Sequence, residues 1–60
     1  MDAAVKECME RAREAEVWAG MVPDATLRAQ WIEIADNYRA MARERLEILL
    51  NPSAAIPPSH

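Results

Sequence analysis

The chain has 60 residues, of which 52% are hydrophobic and 28% charged, and its net charge is −3. This composition is that of one small folded domain and excludes an intrinsically disordered chain. The single cysteine, Cys8, excludes an intrachain disulfide, and with the distant His60 it cannot supply a tetrahedral zinc site. The acidic first twenty residues contain no long apolar run, so we expect no secretory signal, no membrane span and a cytoplasmic location.

The first predicted element is a helix over about residues 2–19. Small side chains recur in it every three or four positions, which places them on one helical face. These residues are Ala4, Cys8, Ala12, Ala15 and Ala19. Asp2 is a suitable N-cap, and Gly20 suits the left-handed residue that often ends a helix. A turn is therefore expected over 20–23.

The second predicted element is a helix over about residues 24–50. Its large side chains step alternately by four and three residues, and together they form a seam. The seam comprises Leu27, Trp31, Ile34, Tyr38, Met41, Arg45 and Ile48, broadened by Ala35, Ala42 and Leu49. Asp24 is a suitable N-cap, and the helix should stop near Leu50 because Asn51 precedes a proline. Residues 51–60, rich in Pro, Ser and Ala, are expected to form a disordered tail.

These two helices predict an all-α fold, a two-helix antiparallel hairpin over residues 1–50, since the short turn forces the chain back on itself. Counting outward from the turn places Ala15 near Trp31, Ala12 near Ile34 and Cys8 near Tyr38. Small side chains of the first helix should therefore face large side chains of the second.

The hairpin is expected to need a partner. A chain this short buries little apolar surface, and it has no disulfide or metal to offset the entropy lost on folding. Several apolar residues lie outside the predicted core or on the end of the longer second helix, together with one charge in the seam. These interface candidates are Trp18, Ile32, Arg45, Leu46, Ile48, Leu49 and Leu50. The simplest cover is a second copy, which would make a homodimeric four-helix bundle.

Arg45 departs from the apolar pattern of its seam. One hypothesis is that its side chain extends to solvent at the open end of the hairpin. The other is that it bonds a carboxylate across a dimer interface and so sets the register of the two copies.

Nothing in the sequence predicts an enzyme, a cofactor or a small-molecule substrate. The carboxylates lie on polar helix faces beside Lys or Arg, and Cys8 fits the stripe of small core residues. Rop-like nucleic-acid binding by Arg39, Arg43 and Arg45 is disfavoured, because interspersed acidic residues and the net charge of −3 oppose phosphate binding.

Two functions from different classes remain at this point. The first is a homo-oligomeric adaptor or structural module that acts by self-association. The second is a small acidic inhibitor, of the antitoxin or phage anti-defence kind, that lays the apolar end of its second helix into a groove of a larger protein.

The packing residues also carry a resemblance. The pattern Cys8-x3-Ala12-x2-Ala15-x3-Ala19 is followed by Pro23-Asp24-x3-Arg28-x2-Trp31-x3-Ala35-x2-Tyr38-x2-Met41-Ala42. Over about residues 7–46 it resembles a set of small uncharacterised alphaproteobacterial proteins, alanine-rich helical hairpins with a Pro/Asp turn. Met41 departs from that pattern, in which leucine is more usual. The resemblance implies a hairpin and implies no activity.

Overall fold

The computed structural model describes residues 2–51, which form two helices, α1 (Ala3–Met21) and α2 (Ala25–Leu50). The two helices pack along the length of α1 in an antiparallel hairpin, which confirms the predicted fold class. Of the predicted 51–60 tail, only Asn51 lies within the described residues.

Side chains cap both helices at their N-termini, as predicted. The Asp2 carboxylate accepts hydrogen bonds from the backbone N–H groups of Ala4 (3.0 Å) and Val5 (3.2 Å). The Asp24 carboxylate accepts one from the Leu27 N–H at 2.9 Å. Each cap satisfies backbone donors that have no partner within the helix, so the two aspartates determine where the helices begin.

The end of α1 differs from the prediction. The helix continues through Gly20 to Met21, and no glycine among residues 2–51 has a positive φ. The chain leaves the helix at Val22, whose backbone is extended at φ −86° and ψ 131°. Because Val22 precedes Pro23, the α conformation is disfavoured there, so the proline and not Gly20 ends α1. The helix therefore ends two residues later than expected, and the connection comprises residues 22–24.

The core consists mainly of alanine. Ala12, Ala15 and Ala35 form a buried cluster, against which Trp31 and Tyr38 pack from the side. The other fully buried residues are Val5, Ala19 and Ala42. Alanine thus packs on alanine between the helices, where large side chains of α2 had been expected to face α1.

The position of the large side chains of α2, beside the helix contact and not within it, has a physical cause. Small side chains on both helices allow a close approach that a central isoleucine or methionine would prevent. The large side chains are therefore turned to one side, and Ile34, expected opposite Ala12, remains 39% exposed.

Enlarging this core should destabilise the hairpin. Ala35→Leu is expected to lower the free energy of unfolding by about 1–3 kcal/mol, because a well-packed site has no room for the added methylenes. Ala40→Leu, on the exposed side of the same helix, provides the control and should change stability by less than about 0.5 kcal/mol. Denaturant unfolding followed by circular dichroism measures both, and equal effects would contradict the alanine core.

Candidate interaction surface

One side of the hairpin carries large apolar side chains from both helices. We call this surface the tryptophan face. Its members are Trp18 from α1 and Trp31, Ile34, Tyr38 and Met41 from α2. The two tryptophan rings stack with their centroids 6.0 Å apart and their planes at 21°. Tyr38 lines each of three adjoining shallow grooves on this side, so the surface is continuous.

The tryptophan face is substantially exposed. Trp18 is 49% and Met41 52% accessible, although both side chains are large and apolar. A monomeric protein seldom leaves so contiguous an apolar patch in water, and such patches mark interaction sites. Tryptophan, tyrosine and methionine are also enriched at protein interfaces, where the aromatic residues provide much of the binding energy.

The opposite side of the hairpin is ionic. There the Arg39 guanidinium pairs with the Glu16 carboxylate of α1 and lies 3.5 Å from the Asp36 carboxylate. Ile32 precedes Arg39 by seven residues and therefore lies on this ionic side. The structure thus separates Ile32 from Trp18, although both were interface candidates.

The remaining candidates occupy the end of α2. Asp2, at the start of α1, lies beside Arg45, so the residues after Arg45 extend beyond α1. We call these the apolar end of α2: Leu46, Ile48, Leu49 and Leu50. All four are exposed, Leu50 to 83%. Ile48 follows Met41 by seven residues, which makes the apolar end continuous with the tryptophan face.

Arg45 pairs within its own chain. Its Nε atom lies 3.5 Å from the Asp2 Oδ1 atom, and the side chain is about half exposed. The guanidinium therefore sits at the open end of the hairpin, as the first hypothesis held, and also meets a carboxylate, as the second held, although that carboxylate belongs to the same chain.

Four members of the tryptophan face had been assigned to the core of the hairpin: Trp31, Ile34, Tyr38 and Met41. Trp31 and Tyr38 do pack, half-buried, against the alanine cluster, whereas Ile34 and Met41 are exposed. The sequence held a signal for the exposed position of Ile34 and Met41. Ala35 and Ala42 are seven residues apart, the same repeat that sets Ala12 from Ala19 in the first helix. Two matching alanine stripes favour direct contact between them and leave the large residues beside them.

Residues 2–51 were also searched for a reactive cysteine, a metal site and a membrane-spanning helix. The Cys8 thiol is free and only partly buried, at the α1 edge of the tryptophan face. Within that range no three His, Cys, Asp or Glu side chains lie close enough to hold a metal ion. Neither described helix is long and apolar enough to cross a membrane.

Comparison with known proteins adds no family. No protein-family model matches the chain, and no curated protein or solved structure is similar to it. The resemblance to small alphaproteobacterial hairpins therefore stays a prediction.

The tryptophan stack should stabilise the turn end of the hairpin. Trp18→Ala is expected to cost about 1–2 kcal/mol, since it removes the stack and the apolar contact with α2. Val17→Ala removes a side chain that is more exposed and is outside the grooves of the tryptophan face, so it should cost much less. Thermal unfolding and near-ultraviolet circular dichroism measure both variants. Equal losses of stability would argue against a structural role for the stack.

Asp2 should make the stability of the hairpin depend on pH in the acidic range. The hydrogen bond from the Val5 N–H holds the pKa of Asp2 below its ordinary value of 3.8, and the nearby Arg45 guanidinium and the Ala4 N–H act in the same direction. A lowered native pKa means that the charged carboxylate stabilises the fold above pH 3.8, and that this contribution disappears as the pH falls through the native pKa.

Asp2→Asn isolates this effect, because asparagine keeps a capping oxygen but carries no charge. The wild-type chain should have the higher Tm at pH 7, and the difference should begin to shrink below pH 3.8 and vanish once the pH has fallen through the lower native pKa of Asp2. Circular dichroism melting curves across this range measure the difference. A gap that stays constant with pH would contradict the assignment.

Proposed function

We propose that this protein is a non-enzymatic interaction module that self-associates through its tryptophan face and forms a homodimeric four-helix bundle. In that role it serves as an adaptor or structural element. The observation that carries the proposal is a continuous apolar surface in which Trp18, Ile34 and Met41 are exposed beside the half-buried Trp31 and Tyr38.

The composition of the core supports a need for a partner. Among residues 2–51, five of the six buried apolar residues are alanines, and the sixth is Val5. A methyl group removes little surface from water, so this core offsets little of the entropy lost by ordering two helices. Burial of the exposed members of the tryptophan face, Trp18, Ile34 and Met41, would supply further apolar contacts, because fully burying a side chain of that size contributes about 1.5–3 kcal/mol.

The dimensions of the face suit a dimer. The 19 residues of α1 span about 28 Å, and two adjacent helices are about 20 Å wide. One side of the hairpin is therefore a rectangle of roughly 560 Å². The accessible surface is larger because side chains project from it, so it is comparable with the roughly 800 Å² per partner of a standard interface.

The charges around the face have the arrangement of an interface rim. Arg11 borders the grooves and lies within 4.0 Å of Glu7 and 3.7 Å of Glu14. A charged border around an apolar centre is typical of protein–protein interfaces. With Arg39 paired to Glu16 as well, these two arginines are locally neutralised, which further disfavours binding to phosphate.

Placing one charge in the face should abolish association. Ile34→Glu is expected to convert the dimer to a monomer at micromolar concentration, because a carboxylate buried in an apolar interface has no partner. Ile32→Glu makes the same chemical change on the ionic side, at a residue of similar exposure, and should remain dimeric. Sedimentation equilibrium gives the mass, and circular dichroism gives the helicity.

Loss of helicity in Ile34→Glu supports the proposal only if it depends on protein concentration. Ile34 is 39% exposed in the single hairpin, so a loss of helicity counts for the proposal where it is reversed by raising the protein concentration, which a monomer would not show. A wild-type chain that is monomeric and fully helical over the whole concentration range would overturn self-association. It would favour the acidic inhibitor instead, with the apolar end of α2 bound to a larger protein.

A further inference from the structure

We propose that Met41 is a site of reversible oxidation, at which a peroxide converts the thioether to the sulfoxide and thereby releases the tryptophan face from its partner. The proposal rests on the proposed self-association through that face and adds its regulation. It holds for any orientation of two copies that covers the face.

Met41 lies in the middle of an exposed apolar row on α2. Ile34 precedes it by seven residues and Ile48 follows it by seven, which places the three side chains on one line along the helix. All three are exposed, and Met41 is the most exposed of them. Met41 also lines two of the three grooves that share Tyr38. A partner that covers the tryptophan face and the apolar end of α2 therefore covers Met41.

Met41 differs in position from the other methionines within residues 2–51. Met9 and Met21 are similarly exposed, so a peroxide in solution reaches all three thioethers of the single hairpin. Neither Met9 nor Met21 lines any of the three grooves that share Tyr38. Oxidation of either one therefore changes the surface outside the tryptophan face, whereas oxidation of Met41 changes the face itself.

The reaction is the transfer of one oxygen atom. A lone pair of the Met41 sulfur attacks an oxygen of hydrogen peroxide, the O–O bond breaks, an S–O bond forms, and the second oxygen leaves as water after proton transfer. The sulfur loses two electrons, and the peroxide gains them. A methionine sulfoxide reductase reverses the change, with two thiols supplying two electrons and two protons as the oxygen leaves in water.

The sulfoxide is polar where the thioether was apolar. Its oxygen accepts hydrogen bonds from water in the exposed hairpin, whereas burial beside Ile34 and Ile48 under a partner removes that water. The alanine core is unaffected, because Met41 lies outside it. Oxidation is therefore expected to weaken association about tenfold or more, without a comparable effect on the hairpin.

Association and oxidation should oppose each other. A sulfoxide that weakens the dimer by a given factor is itself disfavoured in the dimer by the same factor. The partner also shields the sulfur from peroxide. The rate at which Met41 is oxidised should therefore fall as the protein concentration rises, while Met9 and Met21 provide internal references in the same molecule.

Peroxide labelling at several protein concentrations tests this shielding. Cys8 lines the same groove as Met41, and its thiol reacts with the same reagent, so the full-length Cys8→Ala chain is the background. Peptide mass spectrometry gives the oxidation rate of each methionine below and above the dissociation constant found by sedimentation. The Met41 rate divided by the Met9 rate is expected to fall about fivefold or more. A constant ratio in a chain that dimerises would overturn the inference.

Sedimentation equilibrium after complete oxidation tests the effect on association. The dissociation constant of the Cys8→Ala chain is expected to rise about tenfold or more and to return after treatment with methionine sulfoxide reductase and dithiothreitol. Met41→Leu in the same background is the control, because leucine keeps an apolar side chain of similar size and carries no sulfur. This variant should dimerise equally well before and after peroxide, although Met9 and Met21 are still oxidised.

Two results would overturn the regulation alone. One is equal weakening of the Met41→Leu variant by peroxide, and the other is an unchanged dissociation constant when mass spectrometry shows the Met41 sulfoxide. If Met41→Leu itself fails to dimerise, the double variant Met9→Leu, Met21→Leu replaces it and should weaken on oxidation as the background does; no weakening would overturn the inference. Untreated background and wild-type chains that are monomeric at every concentration would overturn the proposed self-association itself.

Discussion

The contact of alanine with alanine between the two helices is the constraint from which the rest of this structure follows. Ala12 and Ala15 of α1 meet Ala35 of α2 in a buried cluster, and Ala42 is buried further along the same stripe. Side chains this small let the helices approach closely, and the close approach leaves no space for larger groups between them. The large residues of α2 are consequently placed beside the contact and gathered on one side of the hairpin.

This displacement gives the molecule two dissimilar sides. On one side the Trp18 and Trp31 rings stack above the alanine cluster and continue into an exposed apolar surface. On the other side Arg39 links Glu16 of α1 to Asp36 of α2. The ionic side also exposes Ile32 and Met9, but its ion pairs suit contact with water, whereas the apolar residues of the tryptophan face are contiguous and favour a partner there. That asymmetry is the physical basis for proposing a two-layered bundle.

The two ends of the hairpin are determined by different interactions. At the turn, Pro23 forces Val22 out of the helix, and the Arg28 guanidinium donates hydrogen bonds to the carbonyls of both residues. At the open end, Asp2 caps α1 and lies beside Arg45. The apolar end of α2 continues past this point, where α1 has nothing to cover it. It extends the tryptophan face and enlarges the surface that a partner would bury.

The sequence by itself determined the two helices and where they begin, because Asp2 and Asp24 act on neighbouring backbone groups, and it determined their antiparallel order, because the turn is short. It also identified Trp18 and the apolar end of α2 as surface. It did not determine which stripe of α2 faces α1. The alanine stripe and the seam containing Trp31 and Tyr38 are adjacent on the same helix, and a modest rotation exchanges them. Only the fit against the alanines of α1 decided that rotation, and with it the residues of the tryptophan face, because packing depends on the shapes of both helices together.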